Sequence, residues 1–473
     1  MKHLKPQSLH GLKNKHIAGI VAILGAAILL MFSSSAAQAA NDPIQLTGKL
    51  SQTTFVQGGA NTVYLDIIIK APKQVAEQNK VARATDMMIV LDRSGSMGGA
   101  KKMTFAKAAI RDILARLNNQ DRFALVSFAN DGITHSPFVS VNAGDRENLN
   151  SIVDNINASG GTNMGDGLQA ALRLSSANSS ERVKKVLLLS DGKANQGISS
   201  TQGLSEMVTQ ITQTGAVLSA IGMGLDFNEV LLTTLADYGM GHYSYLEDLA
   251  GLGKVLEKDL SDTRTIFANG STLDINLGKG VSVIDAGGYP VTTINPTTIR
   301  ITTGQILDNT DKHFVITFNI PAKDVGSVSL GDMRLNYQSK NSQYETPLTD
   351  TILELSIVEA TRRDEALKSV NESVYKQTWT ENNLGRMKKV LSKSVREGDK
   401  DKAQQAIIDY KQAVEKAEKE SNVKIINSEM EEELKTMQDE VDDAFVGSAS
   451  MQEIKQKRSS KSIQQDSIQQ QRK

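Results

Sequence analysis

Residues 87–101 read MMIVLDRSGSMGGAK, and this stretch decides the fold. The run from Met87 to Leu91 is apolar at every position, then stops at Asp92-Arg93-Ser94-Gly95-Ser96. A strand apolar on both faces belongs inside a parallel sheet covered by helices. Three more runs of strand length follow, at 123–128, 186–189 and 217–221. Helical stretches at 104–117, 168–175 and 204–212 lie between or after them. Strands alternating with helices predict an α/β unit with a doubly wound, mostly parallel, Rossmann-like sheet over residues 86–267.

The flanks follow a different period. Val63, Leu65, Ile67 and Ile69 alternate with Tyr64, Asp66 and Lys70, after a turn at Gly58-Gly59-Ala60-Asn61. Phe314, Ile316, Phe318 and Ile320 repeat that alternation, as do Leu353, Leu355 and Ile357. A lone hairpin is marginal in water. The expectation is therefore one antiparallel β-sandwich built from residues 40–80 and 270–358, with the α/β unit inserted between its halves.

Beyond residue 358 the chain becomes charged and helical. Ala403, Ile407, Tyr410, Val414 and Ala417 form one apolar stripe. Gly398-Asp399 separates this helix from an earlier one over 383–395, the glycine ending one and the acid starting the next. Residues 359–447 are expected to be α-helical. Residues 448–473, rich in Gln, Ser and Lys, read as a disordered tail.

The first residues carry Lys2, Lys5, Lys13 and Lys15, an apolar run over 17–32, and Ala37-Gln38-Ala39. That layout predicts a signal peptide over 1–39, with an uncleaved membrane anchor as the alternative. The expected location is the periplasm or the medium. A chain without cysteine forms no disulfides. Net charge of −1 and 4% aromatic residues supply neither the field nor the stacking surface of a nucleic-acid binder.

In an open α/β sheet, ligands bind outside the carboxyl ends of the strands. Asp92, Ser94 and Ser96 stand at such an end, read as facing solvent. All three are hard oxygen donors, which suit Mg²⁺, Mn²⁺ or Ca²⁺. SGGTNMGDGL brings Thr162 to a glycine-rich bend before a helix, and VLLLSDGKAN ends another aliphatic run in Asp191. Taken alone, Thr162 fits a helix N-cap equally well and Asp191-Gly192 an ordinary turn.

These three loops in this order resemble the von Willebrand factor type A domain, in which they form a metal-ion-dependent adhesion site. The resemblance implies that Asp92, Ser94, Ser96, Thr162 and Asp191 are metal ligands, some through water. Arg93, Asn163, Asp166 and Asn195 are weaker candidates, Asp166 being a first-turn acid favoured by the helix dipole. The implied function is an exported binding module whose cation holds an Asp or Glu carboxylate of a protein partner. A metal-assisted hydrolase and an accessory subunit of a channel-like envelope complex are the alternatives. His135, His242 and His313 have no spacing of a zinc site or a triad, and Ser94 has no visible base, so no catalytic residue is assigned.

Overall fold

The computed structural model describes residues 44–72, 84–99, 101–177, 182–191, 194–225, 227–246, 266–339 and 342–472. The expected signal peptide lies outside them. The first strands among the described residues are β1 (Gln45–Leu50), β2 (Thr54–Val56) and β3 (Thr62–Lys70). Alternate residues of β3 point inward, so Val63, Leu65, Ile67 and Ile69 are fully buried.

The α/β unit follows as β4 (Thr85–Asp92), α1 (Lys102–Arg116), β5 (Arg122–Phe128), β6 (Gly132–Ser140), α2 (Ala143–Asp154), α3 (Met164–Ser176), β7 (Val183–Ser190), α4 (Thr201–Gln213), β8 (Ala216–Met223), α5 (Glu229–Tyr238) and β9 (Met240–Leu246). The sheet order is β6-β5-β4-β7-β8-β9. All neighbours are parallel except the β5–β6 pair. Every residue of β4, β7 and β8 is buried. Met87, Ile89 and Leu91 pack under α1 and α2, whereas Met88 and Val90 face α3, α4 and α5. The chain leaves β4 toward β5 and later returns to β7 on its other side. The sheet therefore reverses its winding beside β4, which opens a crevice beyond the ends of β4 and β7.

The rest of the sandwich comprises β10 (Ile266–Leu277), β11 (Ser282–Ala286), β12 (Val291–Asn295), β13 (Thr298–Leu307), β14 (Asp311–Asn319), β15 (Gly326–Ser329), β16 (Gly331–Ser339), β17 (Ser342–Pro347) and β18 (Glu354–Val358). The early strands do not stand alone. β3 pairs with β14 over nine positions, from Lys70↔Asp311 to Thr62↔Asn319, in a β1-β3-β14-β11 sheet. Its inner face packs on the β12-β13-β10-β16-β17 sheet through Leu273, Ile275, Ile301, Leu335 and Tyr337. β2 pairs in parallel with β18.

The helical end contains α6 (Arg363–Lys368), α7 (Glu372–Gln377), a π-helical turn (Thr378–Asn383), α8 (Leu384–Arg396), α9 (Lys400–Ser421), α10 (Ser428–Ala444) and α11 (Ala449–Gln471). Gly398 takes a left-handed φ of 73°, and Asp399 Oδ1 caps α9 by accepting from Lys402 N at 2.9 Å. The α9 stripe from Ala403 to Ala417 is buried in the bundle core.

The expectation of disorder over 448–473 is corrected: residues 449–471 form α11, packed along α8. Its inward face is Ser459, Ser460, Lys461, Ile463, Gln464, Ser467 and Gln471. Ser467 Oγ donates to Gly385 O at 2.7 Å, and Ser392 Oγ of α8 donates to Ser460 O at 2.6 Å. The helices come so close at Gly385 that a Cβ there would lie 2.5 Å from Gln471 Cγ. Small and amide side chains fill this contact by hydrogen bonding, so the segment resembles a solvated tail in composition.

Candidate metal centre

β4 delivers Asp92 to the crevice, and this end is buried rather than solvent-facing, with Asp92 at 0% exposure. The carboxylate is held from both sides. Its Oδ1 accepts from Ser94 N at 2.8 Å, closing an Asx turn, and its Oδ2 accepts from Ser190 Oγ at 2.7 Å. From there a line of oxygens runs outward. Ser94 Oγ lies 3.0 Å from Ser96 Oγ, and Ser96 Oγ donates to Asp191 Oδ1 at 2.9 Å. Lys102 Nζ donates to Asp191 Oδ2.

The three loops are stitched by backbone. Gly95 N donates to Gly160 O at 3.0 Å. Thr162 N donates to Asn195 Oδ1, and Asn195 N returns to Thr162 O, both at 3.0 Å. The N-cap of α3 is Asn163, whose Oδ1 accepts from Asp166 N at 3.2 Å. Thr162 is thus not the cap; it lines a cleft of about 810 Å³ together with Ser96, Asp191 and Asn195. Of the weaker candidates, Asn163 and Asp166 build the helix start and Asn195 joins two loops. Arg93 is held by the hydroxyls of Ser127 and Ser159, each at 3.2 Å. His135 Nε2 lies 2.7 Å from that same Ser127 hydroxyl.

Burial pushes the Asp92 carboxyl above its ordinary range; hydrogen bonds from Ser94 and Ser190 oppose this, and the nearby Asp191 charge adds to it. A divalent cation would remove the cause, because it offsets both the burial and the repulsion. The donors fit such an ion: two carboxylates and three hydroxyls, all oxygen. The neighbouring positive group, Lys102, is one that sequence reasoning missed. A lysine opening a helix opposes the macrodipole, and that misfit was its available signal. It is 9% exposed and paired to Asp191.

Comparison with known proteins agrees with this architecture. Residues 86–258 match the family model of the von Willebrand factor type A domain. The protein YfbK of Escherichia coli (strain K12) is 29% identical over 179 residues, covering 37% of this chain and 31% of that one. Inter-alpha-trypsin inhibitor heavy chain H4 of Homo sapiens is 31% identical over 160 residues, covering 32% and 17%. The chain thus spans under a third of the length of these relatives. The solved structure of a von Willebrand factor type A protein from Catenulispora acidiphila superposes with a TM-score of 0.60 at 18% identity, covering 84% of this chain and 90% of that one. The chain carries a von Willebrand factor type A domain, set between antiparallel sheets and C-terminal helices.

Proposed function

We propose that this protein is an exported protein-binding module that captures a partner's Asp or Glu carboxylate through a divalent cation. Domains of this type are commonly protein-binding or adhesion modules, and many hold such a cation. Asp92, Ser94, Ser96, Thr162 and Asp191 would hold Mg²⁺, with Mn²⁺ or Ca²⁺ as substitutes. When bound, the cation supplies a hard Lewis acid that an anionic side chain can reach. The chain's own residues do the rest. Asp92 and Asp191 provide the negative charge, and the hydroxyls fix the direction of approach. Asn195 holds two of the loops together.

One observation carries this reading: Asp92 is tied to Ser94 through its backbone N–H, and a line of oxygens runs on from Ser94 Oγ through Ser96 Oγ to Asp191 Oδ1, at the point where the sheet reverses. The N-terminal lysines, apolar run and Ala-x-Ala support export. Among the described residues no helix is long and apolar enough to cross a membrane.

The test is calorimetric titration of Mg²⁺ and Mn²⁺ into the protein and into Asp92→Asn. The amide keeps the shape of this buried side chain and the acceptor for Ser94 N. One saturable site in the native chain, lost in the variant, is expected. Unchanged affinity in Asp92→Asn would overturn the assignment.

A further inference from the structure

The cleft above the three loops has a second wall that does not belong to the α/β unit. Besides Ser96, Thr162 and Asp191 it is lined by Arg396 at the end of α8 and by Lys457 and Lys461 of α11. Lys457 and Lys461 are four residues apart and share one face of their helix. This wall is clamped in place. Arg396 Nη1 donates to Glu229 Oε1 at 2.6 Å, and Lys461 Nζ to Glu229 Oε2 at 3.1 Å. Lys461 Nζ also stands 3.9 Å from the centre of the Phe227 ring. Glu229 and Lys461 are each 2% exposed. A recognition surface fixed before binding loses little entropy when a ligand arrives.

We propose that the ligand surface is composite, and that the cleft takes an acidic segment of a partner protein bearing more than one carboxylate. One carboxylate meets the metal loops and the next meets α8 and α11. The inference rests on the metal-site reading above and adds the partner's chemistry to it.

The charges favour such a segment. Among the described residues, three acids line the cleft, Asp191, Glu229 and Glu397, against three bases, Arg396, Lys457 and Lys461. Glu229 is already taken by Arg396 and Lys461, and Glu397 lies within 3.9 Å of Lys393 and 3.8 Å of Lys402. A divalent cation would add two positive charges to this balance. Lys457 pairs at 2.7 Å with Glu453, an exposed residue with which an incoming carboxylate can compete. Arg396 uses one edge of its guanidinium on Glu229 and remains one-third exposed. The volume of about 810 Å³ exceeds the needs of one carboxylate.

The experiment uses the full chain in saturating Mg²⁺ and fluorescein-labelled serine-rich peptides of equal length. They carry two glutamates at several spacings, one glutamate, or glutamines only. At its best spacing the two-acid peptide should bind about tenfold more tightly than the one-acid peptide. Lys457→Gln should remove most of that advantage, as should Arg396→Gln, with Arg396→Lys restoring part of it. Mg²⁺ titration of the same variants reads the three loops by themselves. If metal binds normally but one- and two-acid peptides bind alike, if neither charge variant narrows the gap, or if no peptide binds, the composite surface is overturned while the metal site stands. If the native chain takes up no divalent cation, the metal-site reading and this inference fall together.

Discussion

Strand β7 and helix α11 are both buried, and they are buried with opposite materials. Strand β7 is inside along its whole length, with Val186, Leu187, Leu188 and Leu189 packed on both faces of a sheet. Helix α11 buries seven residues, of which Ile463 alone is aliphatic. One is held by area removed from water, the other by hydrogen bonds and an ion cluster. Apolar burial tolerates any partner of the right shape, whereas polar burial depends on each particular partner being present.

Four single substitutions test that contrast, from the largest effect to the smallest. Leu188→Ala should cost about 4 kcal/mol, because it opens a cavity in a core that cannot collapse. Lys461→Met should cost about 3 kcal/mol, since buried Glu229 loses one of its two cations and keeps Arg396. Urea unfolding followed by circular dichroism reads the first. The single tryptophan, Trp379, packs against the helical core and reads the second. If Lys461→Met leaves the Trp379 transition in place, the ion cluster does not hold α11. Combining it with Glu229→Gln should recover part of the loss, because no lone charge then stays buried.

Asp66 on β3 is the reverse case, a buried acid whose Oδ1 has no hydrogen-bond partner among the described residues. Burial pushes its carboxyl up to about 6; His313 opposes this and Glu381 adds to it. The folded chain then holds the proton more tightly than the unfolded one, so stability is lost as pH rises through about 6. Asp66→Asn should stabilise the protein by about 2 kcal/mol at pH 7 and by little at pH 4. Melting curves at the two pH values decide it; an equal gain at both would exclude titration as the cause. Glu229 has the opposite sign. Burial works against its charge, but Lys461 and Arg396 more than compensate and hold its carboxyl below the ordinary range. Its contribution is present at neutral pH and fades only as pH falls below that of a free glutamate. The smallest effect is expected at Ser467→Ala, about 1 kcal/mol for the bond to Gly385 O. A loss as large as that of Leu188→Ala would show that α11 is held by this contact instead of by the clamp.

The same contrast decides what could be read from the residues alone. The runs in β4, β5, β7 and β8 were legible because inside and outside differ chemically there. Yet β7 begins three residues earlier than its aliphatic run, at Val183. Lys184 and Lys185 hid that start: Lys185 is buried with its amine on Ser219 Oγ at 2.8 Å. Strand β6 was missed because it is an edge strand with much of its length exposed. Asp92, Ser94, Ser96, Thr162 and Asp191 lie together at one end of the sheet, as their places after aliphatic runs and at a glycine-rich bend predicted; their role as ligands is the proposal. The Asp92 burial, the Lys102 ion pair and the α11 wall were not legible. Each depends on groups brought together from distant positions, such as Lys461 and Glu229, 232 residues apart.

The pairing of β3 with β14 also sets an order in time. Gly48 N donates to Thr351 Oγ1 across 303 residues, and β1 and β3 must wait for β14 to be made. Strands β4 to β9 find all their neighbours among themselves. A growing chain can therefore finish its middle before its beginning, since the long loop must close before those distant contacts repay it. Pulsed hydrogen exchange during refolding should protect amides of β4 and β7 ahead of those of β3. Strands synthesised before the α/β unit would be among the last to find their place.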